Sequence, residues 1–143
     1  MLRLERMAGQ VDQLTAAADD DCASHATGEV RAFFEQNPCT ALFRALFEVR
    51  DGRRGVVHVA VAWVDMPDAD LARRYQDVID AEGTGTVRPL TRDGRRDDTN
   101  FNGFAYASAR EDVSVVIAQA EPVGRTRTTL ELAENAVNTA TSS

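Results

Sequence analysis

Cysteine and histidine are the side chains in this sequence best suited to redox, nucleophilic or metal chemistry, and there are two of each: Cys22, His25, Cys39 and His58. Cys22 and His25 form a C-x2-H pair, a legitimate zinc half-site, but Cys39 and His58 lie far apart with no local pairing, so no metal site is expected. Nor does that spacing make Cys22 a nucleophile, because a catalytic base has to be positioned in space rather than in sequence. An even pair of cysteines in a small domain reads more simply as a disulfide, if the protein is exported. Geometry constrains that reading. One straight helix over residues 22–36 would set Cys22 about 20 Å from its far end, beyond the roughly 4.4 to 6.8 Å Cα separation a bridge allows. A Cys22–Cys39 bridge therefore requires non-helical chain between Cys22 and Gly28, for which Gly28 and the cap candidates Ser24 and Thr27 are suitable. Two buried free thiols, or a bridge between two chains, are the alternatives.

His58 falls in an alternating segment on the same side as Ala60 and Ala62, and Glu48 on the preceding segment is its natural partner. With Arg44 they form the candidate ligand-binding set, His58, Glu48 and Arg44, and the place where an enzyme site would assemble in three dimensions. Asp65, Asp68 and Asp70 read as a cation or acid/base site or, preferably, as helix capping, with Asp68 at the N-cap and Asp70 in the first turn. The spacings of an EF-hand loop, a phosphate-binding glycine loop, a G-x-S-x-G elbow and an H-E-x-x-H helix are all missing. Gly83-Thr84-Gly85-Thr86 follows a helix instead of opening one, and so reads as a stop and turn. Arg53-Arg54, Arg73-Arg74 and Arg92/Arg95/Arg96 sit among carboxylates, as solvated ion-pairing faces do. No catalytic residue and no cofactor is expected.

The elements that must position these residues follow from periodicity. Leu4, Met7, Val11 and Leu14 carry the a/d rhythm of a coiled coil, so residues 1–20 read as an N-terminal helix or stalk, either pairing chains or packed on its own domain. Asp19, Asp20 and Asp21 disfavour a helix C-terminus and place a break near Cys22. Ala26, Val30, Phe33 and Phe34 then mark one stripe of a second helix, stopped by Asn37-Pro38. From Thr40 the period changes to two. Phe43, Phe47 and Val49 alternate with Arg44, Glu48 and Arg50, the segment 51–55 turns the chain, and Val57, Val59, Val61 and Trp63 alternate again, which predicts a β-hairpin. A helix follows Asp68, with Leu71, Tyr75, Val78 and Ile79 inward. Thr86–Leu90 is a short strand candidate, residues 91–100 a polar loop, and Phe104–Arg110 with Val113–Glu121 a second hairpin. Thr128–Ala140 closes the chain as a helix, with Leu130, Ala133 and Val137 inward. The small residues Ala60, Ala62, Ala105, Ala107, Ala109, Ala118 and Ala120 predict one sheet face closely covered by helices, opposite a face of Val57, Val59, Val61 and Trp63. The whole predicts an α+β domain over residues 22–140, with a mainly antiparallel four- or five-stranded sheet and a coiled-coil-like helix in front.

Composition narrows the partners. A chain 43% hydrophobic and 27% charged supports one core. Its 16 basic and 23 acidic residues leave a net charge of −7, which repels nucleic acid. All the basic residues are Arg, a bias that a GC-rich genome explains more simply than sixteen bidentate sites would. No segment is long and apolar enough for a membrane span, and the first 20 residues lack the apolar centre of a signal peptide.

Cys22, Pro38-Cys39, the segment Ala41–Val49 and the segment Val61–Pro67 resemble a group of uncharacterised actinobacterial proteins in which a membrane anchor precedes a small exported domain. The resemblance covers residues 22–123 and contains no catalytic motif. It implies an extracytoplasmic or membrane-associated location, with the membrane reached only through a segment absent from this chain; a cytoplasmic location is the alternative. The expected function is a non-enzymatic extracytoplasmic binding, sensing or assembly module, engaging a protein partner or itself through residues 1–20. A small enzyme with a site around His58, or a structural oligomerisation subunit, are the rival readings.

Overall fold

The computed structural model describes residues 10–50, 56–81, 83–90, 105–122 and 127–141. Five strands form one antiparallel sheet: β1 Gln10–Asp19, β2 Ala41–Arg50, β3 Val56–Asp65, β4 Ala105–Glu111 and β5 Ser114–Pro122. Their spatial order is β1-β2-β3-β5-β4. The helices are α1 Gly28–Gln36, α2 Ala69–Asp80 and α3 Arg127–Thr141. The hairpin read from the alternation in residues 43–63 is present, paired without slippage from Ala41↔Asp65 to Arg50↔Val56. The second hairpin turns through Asp112-Val113, and Asp112 takes the left-handed conformation (φ 56°) that short polar side chains tolerate best.

Both faces of the sheet are buried. On one, α3 sets Ala136, Val137 and Ala140 against Val57, Val59, Val61, Ala118 and Ala120. On the other, α1 contributes Val30 and Phe34, and α2 contributes Ala72, Tyr75 and Ile79, over Leu42, Ala62, Val64, Val115 and Ile117. The Phe34 and Tyr75 rings meet with centroids 4.9 Å apart and join the two helices. Asp68 caps α2 by accepting a hydrogen bond from the Leu71 amide at 2.8 Å, and Asp70 stands in the first turn and pairs with Arg73, whereas Asp65 accepts from the Ser114 hydroxyl. Leu71 and Val78 of the expected stripe are only partly buried.

Three expectations are corrected. Residues 10–19 are not helical; they form edge strand β1 along β2, from Gln10↔Arg50 to Asp19↔Leu42. The register shifts between Gln13 and Thr15, so Leu14 is the extra residue of a bulge. The partly buried apolar positions of this strand are Val11, Leu14 and Ala17, an irregular spacing that imitates a heptad. The remainder of the expected stalk, with Leu4 and Met7, lies outside the described residues. Second, Thr86–Leu90 contains a single bridge, Ala26↔Val87, instead of a strand. Pro89 has no amide to extend the pairing. Third, the small residues do not share a face. Ala62 pairs with Ile117 beneath α1 and α2, whereas Ala118 and Ala120 face α3 beside Val59 and Val61. The expected turn at 51–55 and polar loop at 91–100 also lie outside the described residues.

Candidate ligand-binding site on the sheet face beneath α1 and α2

Strand register sorts the side chains under α1 and α2 into rows across the sheet. One row, beyond the helices, runs Asp12, Glu48, His58, Glu121 over β1, β2, β3 and β5. The next runs Thr15, Leu46, Ala60, Gln119, Tyr106, and the third runs Ala17, Arg44, Ala62, Ile117, Ser108. Arg44, Glu48 and His58 therefore do share one face, as period two requires. Leu46 and Ala60 separate the arginine from the Glu48–His58 pair, so the three candidates form two adjoining polar places.

The outer place is a histidine set between two carboxylates. His58 Nε2 lies 3.2 Å from Glu48 Oε1, with the Glu48 side chain 12% exposed and that of His58 32%. Arg50 grips the other Glu48 oxygen, Nη2 at 2.6 Å and Nε at 3.0 Å. Hydrogen bonding from Arg50 pulls the Glu48 carboxyl below its ordinary pKa, burial opposes this, and His58 lowers it further. Glu121 stands opposite His58 on the other side. Its Oε2 is buried without a hydrogen-bond partner among the described residues, and burial pushes its pKa up. The two carboxylates flanking one imidazole are thus shifted in opposite directions, the arrangement that separates a proton donor from an ion.

The inner place is built on Arg44, a cation only 9% exposed. Its Nη1 donates to the Arg88 carbonyl at 3.2 Å, while its Nε is buried with no acceptor among the described residues. The 84–88 segment is held over it by a close backbone crossing. Thr27 N donates to the Thr86 carbonyl at 2.9 Å, Arg88 N to the His25 carbonyl at 2.6 Å, and Thr86 N to Thr27 Oγ1 at 3.1 Å. Gly28 and Gly85, both with positive φ, permit this approach: a Cβ on Gly85 would collide with the Thr27 carbonyl. Buried Gln119 donates to Thr86 Oγ1 at 3.1 Å and ties the crossing down to β5.

Cys22 and Cys39 flank this region at disulfide distance, Cα to Cα 6.1 Å, 2% and 8% exposed within the same core cluster. The intervening chain meets the geometric requirement for a bridge: Ala23–His25 is a single 3-10 turn, Ala26 and Thr27 are extended, and the α-helix begins at Gly28. Closing a loop with a sequence separation of 17 stabilises by about 3 kcal/mol in the chain-entropy view. The sulfurs face each other, so Cys22 does not join His25. Instead His25 Nε2 lies 2.8 Å from Asp19 Oδ2 and Asp19 Oδ1 accepts from the Asp20 and Asp21 amides, contacts that hold the Asp19 carboxyl at about 2.

No family model, curated protein or solved structure matches this chain. Among the described residues no cluster of three or more Cys, His, Asp or Glu has metal-site geometry, and no helix is long and apolar enough to cross a membrane.

Residue type and period in the sequence point to Arg44, Glu48 and His58 but not to Asp12, Arg88, Gln119 and Glu121. Gln119 and Glu121 were within reach. They alternate with Ala118 and Ala120 and continue the line of Val115 and Ile117, so period two sets them on the helix-covered face. Asp12 was hidden by the helical reading of its strand, and Arg88 by the irregular chain around Pro89.

Proposed function

We propose that this chain is a non-enzymatic extracytoplasmic module that binds a partner or senses a ligand, with the segment ahead of β1 as its route to tethering or self-association. The observation that carries this reading is the Cys22–Cys39 pair. It lies at disulfide distance inside the core and joins the end of β1 to the start of β2, a linkage that persists where the surroundings are oxidising. The resemblance of residues 22–123 to exported domains points the same way, and the acidic net charge fits a protein or small-molecule partner better than a polyanion.

A second reading, a small enzyme, draws support from one contact, Glu48 with His58 at 3.2 Å and Glu121 opposite in register. A general acid–base pair needs such a carboxylate–imidazole contact. Cell fractionation tests the leading reading. With an antibody to the folded domain, the exported module is recovered outside the cytoplasm. Recovery in the cytoplasm would overturn the leading reading. For self-association, truncation ahead of Gln10 is the informative variant, because residues 10–19 belong to the sheet.

A further inference from the structure

Arg44 presents a problem of charge. The residue is nine-tenths buried between the sheet and the 86–90 segment, and its Nε proton has no acceptor among the described residues. It lines a cavity of about 10 Å³ together with Ala60, Ile117, Gln119, Arg88 and Leu90, and none of the described lining residues is acidic. The lining carries a second arginine instead. The carboxylate that acts on Arg44 is Asp19, whose oxygens are already engaged by His25 and by the Asp20 and Asp21 amides. A buried cation with no free carboxylate beside it among the described residues is unfavourable, and a water would accept from Nε without neutralising anything.

The geometry points to an anion site in this cavity, in which Nε of Arg44 donates to one small monovalent anion: a halide, or a single carboxylate oxygen of a larger ligand. Size sets the class. A cavity of this volume holds one water-sized centre, which admits a halide or one oxygen and excludes tetrahedral sulfate or phosphate. Charge-assisted donation to an anion is about twice as strong as a neutral hydrogen bond, so the occupant also locks the 86–90 segment onto the sheet. The site rests on its own geometry and holds whichever compartment the chain occupies.

The test uses the full oxidised chain. Thermal midpoints are measured in sodium chloride, sodium formate and sodium gluconate at matched ionic strength, for the wild type, Arg44→Gln and Ala60→Val. An occupied site raises the wild-type midpoint by about 3 to 6 °C when the anion stands tenfold above its dissociation constant. Gluconate gives such a rise only by placing one carboxylate oxygen on Nε while its chain stays outside, so its response marks a docking point for larger carboxylates, and the Arg44→Gln series sets the non-specific salt effect. Arg44→Gln abolishes the anion dependence, and Ala60→Val, which fills the cavity while keeping the arginine, weakens it. A response to chloride identifies a bound ion; a response to formate alone identifies a docking point for a carboxylate-bearing ligand. Equal slopes in the wild type and both variants would overturn the site and leave the Nε facing water only. Should Arg44→Gln fail to fold, chloride-35 line broadening on the wild type replaces it. Excess broadening that competing formate removes supports the site, and no excess broadening together with no formate dependence of the wild-type midpoint refutes it.

Discussion

Asp19 shows how much a single residue contributes here. It ends β1, receives His25, and accepts from two following amides, a concentration of donors that depresses its carboxyl to about 2. A group whose folded pKa lies below its unfolded value of 3.8 adds stability that is fully present above that unfolded value and disappears as pH falls through the folded one. Asp19→Asn is therefore expected to cost stability at neutral pH and to flatten the acid limb of the stability profile between about pH 4 and pH 2, read from urea midpoints at each pH. An acid limb identical to the wild type would show that the contacts of Asp19 do not contribute. The residue scale is also where the sequence was partly legible. The cysteine pair and the Glu48–His58 contact follow from residue type and register alone. The burial of Arg44 does not, because an arginine between Phe43 and Ala45 in an alternating strand looks like a solvent-facing residue. The distant 86–90 segment is what encloses it.

Among the elements, the crossing of residues 84–88 over 25–28 carries the architecture of the site. It hangs on two glycines and a few backbone hydrogen bonds, with no strand to support it. Gly85→Ala adds both left-handed strain and a collision with the Thr27 carbonyl, and is expected to destabilise by about 2 kcal/mol or more. Gly83→Ala is the control: its φ is also positive, but no heavy atom lies within 4 Å of the added Cβ, so the expected loss is about 1 kcal/mol. Equal losses in chemical denaturation would mean that the crossing is loose. Element types were readable wherever the hydrophobic period was regular: both hairpins, α1, α2 and α3 follow from it. β1 was misread because its bulge at Leu14 breaks the period of two, and edge pairing with β2 outweighs the weak helical preference of two heptads. The faces of the sheet were misassigned for a different reason. Alternation fixes which residues within a strand share a side, but the relation between strands depends on register, which no single strand encodes.

For the whole molecule, α1 and α2 cover one side of the sheet and α3 the other, while the row Asp12, Glu48, His58, Glu121 extends past α1 and α2. The Cys22–Cys39 pair stands at the opposite end of that face, where β1 leaves the sheet and β2 enters it. The polar row and the buried pair are then the two ends of one sheet face, one end presenting charge and the other clamped. That account depends on the clamp being closed in the cell. The most direct measurement is intact mass with thiol alkylation, with and without reductant, on protein recovered from its source cells. The account predicts a monomeric chain two hydrogens lighter than its reduced form, with no alkylation until reductant is added. Two freely alkylated thiols in the native protein would contradict it and place the chain in a reducing compartment.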